Sequence, residues 1–378
     1  MKRKWLGIVL KVALLLLLAV IFMPLLGVVV ACRPFSTPML PQATALPQAT
    51  AEAADVQKLK ASLKGYARPE DQTYLTLPEW YIVYSADEYA AFIQQNPPSR
   101  FPYFQAVGQY WHSYYAVCAV TREAYPFNSG YHLSNVVTGL SFTIENIGKG
   151  AYENTVGRLS ELLGGRAPTE EDRYARVTAK EYGDFIHTIP WYEFPFGKKL
   201  RGLWSQTSLW GPGFVRKWER KLSLSFEYGL KSLYGGLIKQ ASQSTYGIVD
   251  VEIQVWASGL SDSILKAEPQ IKIIKVIGDQ TAIAATPRYE AFTQLVPTLT
   301  KQGVQFIEIA GNDTILVTAF APRLWQYDLS EGTLLFEMPI LTQPNLKRMA
   351  INVPVKSLHL LLAEMERHDV KLEHVYDY

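Results

Sequence analysis

The stretch PRYEAFTQLVPTLTKQGVQF, residues 287–306, decides how the C-terminal third of this chain is read, because PVKSLHLLLAEMERHDVKL, residues 354–372, echoes it. Under a shift of 66 residues, Gly303, Val304, Gln305 and Phe306 fall on Asp369, Val370, Lys371 and Leu372. Phe292, Leu295, Val296 and Leu299 fall on Leu358, Leu361, Leu362 and Met365. That apolar set has the 3.6-residue period of a helix face in both copies. A proline stands near each helix start, Pro287 and Pro354. Around the copies lie short β-branched, alternating runs at 249–256, 270–277, 281–286, 304–309, 314–320, 333–340 and 350–353. Two strand-helix-strand halves in tandem give the pattern of a ferredoxin-like α/β sandwich over residues 247–378.

Working back from there, residues 55–246 change texture and read as an aromatic-rich helical domain, so the fold class is α+β. Thr76-Leu77-Pro78-Glu79 and Ser85-Ala86-Asp87-Glu88 fit the capping-box pattern, and Thr169-Glu170-Glu171-Asp172 is an acidic variant of it. Helices are expected near 77–95, 103–123, 133–163, 170–187 and 214–240, punctuated by Gly130, Gly164-Gly165 and Pro190. The polar run at 240–245 is the expected point of protease entry between two separately folding halves. Three segments, TYLTLPEWYIVYS from Thr73, FPYF from Phe101 and YENTVGR from Tyr152, resemble a family of uncharacterised bacterial membrane-anchored proteins. The resemblance implies a bacterial membrane-anchored class and brings no activity, cofactor or site residue with it.

At the N-terminus, Lys2, Arg3, Lys4 and Lys11 precede an uncharged run from Val12 to Ala31. Twenty helical residues rise roughly 30 Å, the thickness of a bilayer core. The expectation for residues 1–33 is therefore a signal or transmembrane helix with its N-terminus in the cytosol and the folded part outside the cytoplasmic membrane. A retained anchor, a cleaved signal peptide and a lipoprotein-type signal all fit. The last makes Cys32, after Val29-Val30-Ala31, a lipidation candidate. Residues 34–54, with four prolines and a repeated Leu-Pro-Gln-Ala-Thr-Ala, read as a semi-rigid linker.

Composition narrows the function. The 378 residues are 48% apolar and 19% charged with a net charge of +2, which excludes a disordered chain. Two cysteines exclude a disulfide scaffold and paired-cysteine zinc sites, and no dinucleotide, Walker, zincin or nucleophile-elbow motif occurs. No cofactor or metal is called for. The charge is concentrated: residues 196–240 carry nine basic and two acidic side chains. On a helical wheel starting at Val215, Trp218, Leu222, Phe226, Leu230, Leu233 and Leu237 gather within about 60°. Arg216, Lys217, Arg220, Lys221, Lys231 and Lys239 take the opposite side. Two readings stay open, a core helix with a solvated cationic side, and a helix laid on an anionic lipid surface through Arg216, Lys217, Trp218, Arg220 and Lys221. Nucleic acid is not an expected partner.

Catalytic candidates are few. Glu181, Asp184 and His187 recur at a spacing of three on one expected helix, so an acid/base or metal site there is conceivable, followed by Trp191, Tyr192, Phe194 and Phe196. Such a trio is more often a solvated polar edge. His112 reads as a buried histidine among aromatics, and Cys118 as a core thiol without a partner. The functional expectation is a non-catalytic protein that binds or organises a lipid or protein partner at the membrane. Its rival is a hydrolase or metal-dependent enzyme centred on residues 181–191.

Overall fold

A computed structural model describes residues 22, 24–32, 58, 60–164, 167–245 and 251–377. The basic N-terminus, residues 12–21, the linker at 34–54 and the boundary at 246–247 lie outside the described residues.

The first unit is helical: α1 (Asp71–Leu75), α2 (Leu77–Gln95), α3 (Tyr103–Ala124), α4 (Ser129–Tyr152), α5 (Arg158–Gly164), α6 (Glu170–Ile186), α7 (Phe196–Gln206) and α8 (Phe214–Thr245). The five expected helices are present, and α1 and α7 were not anticipated. A π-helical turn, Glu153–Gly157, joins α4 to α5 without a break. The start signals fared unevenly. Thr169 and Asp172 form the full reciprocal box at α6. At Thr76 no cap forms, because α1 runs directly into α2 and the Thr76 hydroxyl donates back to the Gln72 carbonyl. Ser85-Ala86-Asp87-Glu88 lies inside α2.

The second unit follows as β1 (Glu252–Ser258), α9 (Asp262–Ala267), β2 (Lys272–Gly278), β3 (Thr281–Pro287), α10 (Glu290–Lys301) and β4 (Gln305–Ile309). It continues as β5 (Thr314–Pro322), β6 (Thr333–Pro339), β7 (Leu346–Pro354), α11 (Leu358–Arg367) and β8 (Lys371–Val375). The strands make two antiparallel sheets, ordered β2-β3-β1-β4 and β6-β7-β5-β8. The echoed stretches therefore do not share one sheet. Each closing strand pairs with the first strand of its own half, β4 with β1 and β8 with β5. The expected helix faces are buried as read: Phe292, Leu295, Val296 and Leu299 meet Leu358, Leu361 and Met365 in one core with residues of both sheets. The second sheet's other face packs on the helical unit, burying Leu316, Met338, Ala350 and Tyr376 with Tyr74, Tyr84 and Tyr110.

The N-terminal expectation is corrected. Among the described residues no helix is long and apolar enough to cross a membrane, so a single N-terminal span and the localisation read from it are not supported. Residues 24–32 are instead helical and lie against α3. The Tyr115 hydroxyl donates to the Pro24 carbonyl at 3.1 Å, and Arg122 donates to the Ala31 carbonyl at 3.4 Å. Cys32 forms a disulfide with Cys118. A sulfur so bonded carries no lipid, and Cys118 is not the unpartnered thiol expected.

Candidate functional site

The basic helix α8 is built the opposite way round from either reading of its sequence. Arg216, Lys217, Arg220 and Lys221 are all buried, the last two at 2% and 0% exposure. Apart from Glu219 on α8 itself, their partners come from remote positions that no wheel of this helix contains. Arg216 pairs with Asp172 at 3.1 Å and Glu219 at 3.0 Å. Lys217 lies 2.8 Å from Glu170 and 3.0 Å from Glu171. Arg220 reaches Glu153 in the π turn at 2.6 Å. Lys221 meets Glu171 at 3.2 Å and donates to the Thr207 carbonyl at 3.1 Å. The first turn of α6 thus supplies three acids to one cluster. Burial opposes ionisation of Asp172, yet Arg216 and Arg220 beside it hold its carboxyl below the ordinary value. Burial likewise opposes the charge on Lys217, and Glu170 and Glu171 more than offset it. These four cations are therefore not available to an anionic surface. Trp218 is half-buried, its indole N–H donating to the Leu209 carbonyl.

What α8 shows to solvent is its apolar stripe. Phe226 is 73% exposed and Leu233 68%, and Leu222, Leu230 and Leu237 are each more than half exposed. Between Phe214 and Leu237 no charged residue of α8 is classed as exposed. Alongside runs α4, antiparallel, whose Leu133, Val137 and Ile144 are exposed as well. The two helices are bridged by long charged side chains, Lys149 to Glu227 at 2.6 Å and Lys231 to Glu145 at 2.8 Å. Beneath these bridges lies a cavity of about 100 Å³, lined by Tyr89, Tyr103, Asn146, Tyr182 and Tyr228 with the four charges at its edge. Burial works against Glu145, but Lys231 and Lys149 pull its carboxyl down to about 2. Lys149 and Lys231 are both raised by the carboxylates they face, against the opposing effect of burial. None of these three groups exchanges a proton near neutral pH, so the bridge is suited to holding helices together and unsuited to acid–base chemistry.

The predicted catalytic trio does not converge. Glu181 pairs with Lys199, and Asp184 with Lys180 at 2.7 Å on the surface. His187 turns away to Asp87 at 2.6 Å and Glu290 at 3.4 Å, joining α6 to α2 and α10. Hydrogen bonding to Asp87 and then Glu290 pushes its imidazole up to about 10. An imidazolium at neutral pH is neither a general base nor a metal ligand. Asp87 and Glu290 were invisible as partners because each is about a hundred residues from His187 in the chain. The aromatics after the trio pack: Phe194 and Phe196 are buried in a small core, and Trp191 stacks on Tyr234. His112, expected in the core, is exposed.

Among the described residues two histidines are buried, His374 on β8 and, on α4, His132. Its Nδ1 lies 2.9 Å from the Tyr114 hydroxyl and 4.0 Å from Cys118 Sγ, and Phe127 stacks on the ring. Burial pushes its imidazole down to about 4. Comparison with protein families, with curated proteins and with solved structures finds no match for this chain.

Proposed function

We propose that this protein is a non-catalytic binding protein whose helical unit takes lipid hydrocarbon on the apolar stripes that α4 and α8 expose. One observation carries the reading: α8 buries Arg216, Lys217, Arg220 and Lys221 while exposing Leu222, Phe226, Leu230, Leu233 and Leu237. A polar interior beneath an apolar exterior is the arrangement that suits a surface bathed in lipid. The stripe from Leu222 to Leu237 runs about 22 Å along the helix. Withdrawing a half-exposed leucine or phenylalanine from water is worth roughly 1 kcal/mol, so five along α8 give about 5 kcal/mol before the cost of association. Exposed Trp204, Trp210 and Phe214 stand near one end of the stripe, where amphipathic rings favour a lipid–water boundary. The contact is apolar, so it differs from the basic-face expectation, and it involves no crossing helix. The rival enzyme reading has no converging trio to support it.

The strand orders also favour reading each sheet with its helices as a ferredoxin-like unit, the first complete and the second with a loop where α9 would stand. That fold hosts many unrelated functions and contributes nothing to the choice of ligand.

The test is local to the face. Among the described residues neither cysteine is free, so a cysteine introduced at Leu233 or Thr298 labels selectively with a polarity-sensitive fluorophore. With phosphatidylcholine vesicles, the label of L233C shifts to the blue and the label of T298C, on the exposed side of α10, does not. Because no cation takes part, the shift survives 1 M salt. An unshifted L233C label, with sedimentation showing paired chains, would assign the face to a second copy of the protein instead.

A further inference from the structure

We propose that Cys32, Cys118 and His132, once the disulfide is reduced, form a buried three-donor site for a monovalent copper ion. Both sulfurs and a ring nitrogen of His132 lie within 4.8 Å of one another, and all three residues are buried. The proposal is independent of the lipid-facing helices.

Three features of the surroundings select the ion. The donors are two soft sulfurs and an imidazole, with no carboxylate in the group, a set that favours copper(I) or zinc over harder ions. Structural zinc asks for four ligands, and three buried donors suit a trigonal monovalent ion better. The charge agrees. Two thiolates and one Cu⁺ leave a net −1, and the buried Arg122 guanidinium is placed to balance it. Arg122 stands one turn beyond Cys118 and donates to the carbonyl of Ala31, the neighbour of Cys32. Its other contact in that region is the exposed Glu123 carboxylate at 3.4 Å.

His132 presents its Nδ1 to the sulfurs, 4.0 Å from Cys118 Sγ. The Tyr114 hydroxyl, 2.9 Å from the same Nδ1, occupies its lone pair in the disulfide form and gives up that hydrogen bond when the nitrogen turns to copper. Phe127 stacked on the ring closes it from the other side.

The chemistry balances with a named reductant. A phosphine supplies two electrons, the S–S bond breaks, and water provides the oxygen of the phosphine oxide and the protons of two thiols. Each thiol releases its proton to solvent as its sulfur bonds to Cu⁺.

The experiment uses the full chain, reduced with a phosphine, freed of it without air, and titrated with Cu⁺ against the chelator bicinchoninate. The expected result is one copper per chain, bound only after reduction, with two sulfurs and one nitrogen in its X-ray absorption spectrum. C32S and C118S lose the site. H132Q weakens it at least tenfold, a loss of about the size that even an outer partner of a ligand causes. Should H132Q fail to fold, the absorption spectrum of the native chain decides. No stoichiometric copper, a sulfur-only spectrum, unchanged affinity in folded H132Q, or four-donor zinc binding in preference to copper would each overturn the assignment.

Discussion

Glu171 shows how much rests on single charges in this molecule. It is fully buried, and it faces both Lys217 and Lys221. Removing one partner of a buried ion pair leaves an uncompensated charge in low dielectric, which costs about 3–5 kcal/mol. Glu171→Gln should therefore lower stability by that amount in urea unfolding, although the side chain keeps its size. His187 sets a different dependence. Its folded pKa, about 10, is above the ordinary 6.5, so the stability it contributes is complete below pH 6.5 and lost as pH rises through 10. His132 acts with the opposite sign. Its pKa is lowered to about 4, so its contribution is present above pH 6.5 and lost as pH falls toward 4. Urea midpoints across pH 4–10 should pass through a maximum near pH 6.5, and His187→Gln should flatten the alkaline limb. An alkaline limb that H187Q leaves unchanged would remove His187 from that account.

At the scale of the element, α8 separates what is legible in a sequence from what is not. The wheel divided its residues into the right two faces, and the same 3.6 period found α10 and α11 and their buried sides. Periodicity says nothing about which face turns inward. That was decided by Glu153, Glu170, Glu171 and Asp172, which lie about 45 to 67 residues upstream of their cations and reach them only once the chain has folded. The same limit hid the carboxylates around His187 and the pairing of Cys32 with Cys118, 86 residues apart. Strand positions were readable because alternation is local. Sheet membership was not, since it depends on which strands find each other. The inversion of α8 has a measurable signature. Replacing Phe226 and Leu233 with serine should change the free energy of unfolding in solution by no more than about 0.5 kcal/mol each, as exposed substitutions do. Leu224, buried on the inner side at 3% exposure, should cost about 2–5 kcal/mol as alanine. A large loss at Phe226 or Leu233 in lipid-free protein would mean that those side chains are packed.

Across the whole molecule, the sheets and the helical unit are joined too closely to be independent. Arg348 of β7 is 2% exposed and divides itself between Glu373 at 2.7 Å within the sheet and Glu88 of α2 at 3.2 Å. Its guanidinium also lies over the Tyr84 ring, 4.3 Å from the centroid. The Tyr74 hydroxyl donates to Asn352 at 2.8 Å, and the Tyr84 hydroxyl is 3.1 Å from that of Tyr376. Even a sheet backbone group depends on the helices, the Leu316 amide donating to the Thr73 hydroxyl at 3.0 Å. A fragment beginning at residue 247 would expose Leu316, Met338, Ala350 and Tyr376, and would strand polar groups that the helices now satisfy. Its own core between the two sheets stays intact in composition, so collapse and strands should survive while fixed packing does not. Against the expectation that cleavage at 240–245 frees a self-sufficient half, these contacts predict a fragment that needs the helical unit to pack. That fragment should keep a far-ultraviolet strand signal, bind a hydrophobic dye, and unfold in urea over a broad range. A sharp urea transition with a native near-ultraviolet spectrum would show that the interface with α1, α2 and α3 is dispensable, and that the sheets fold by themselves.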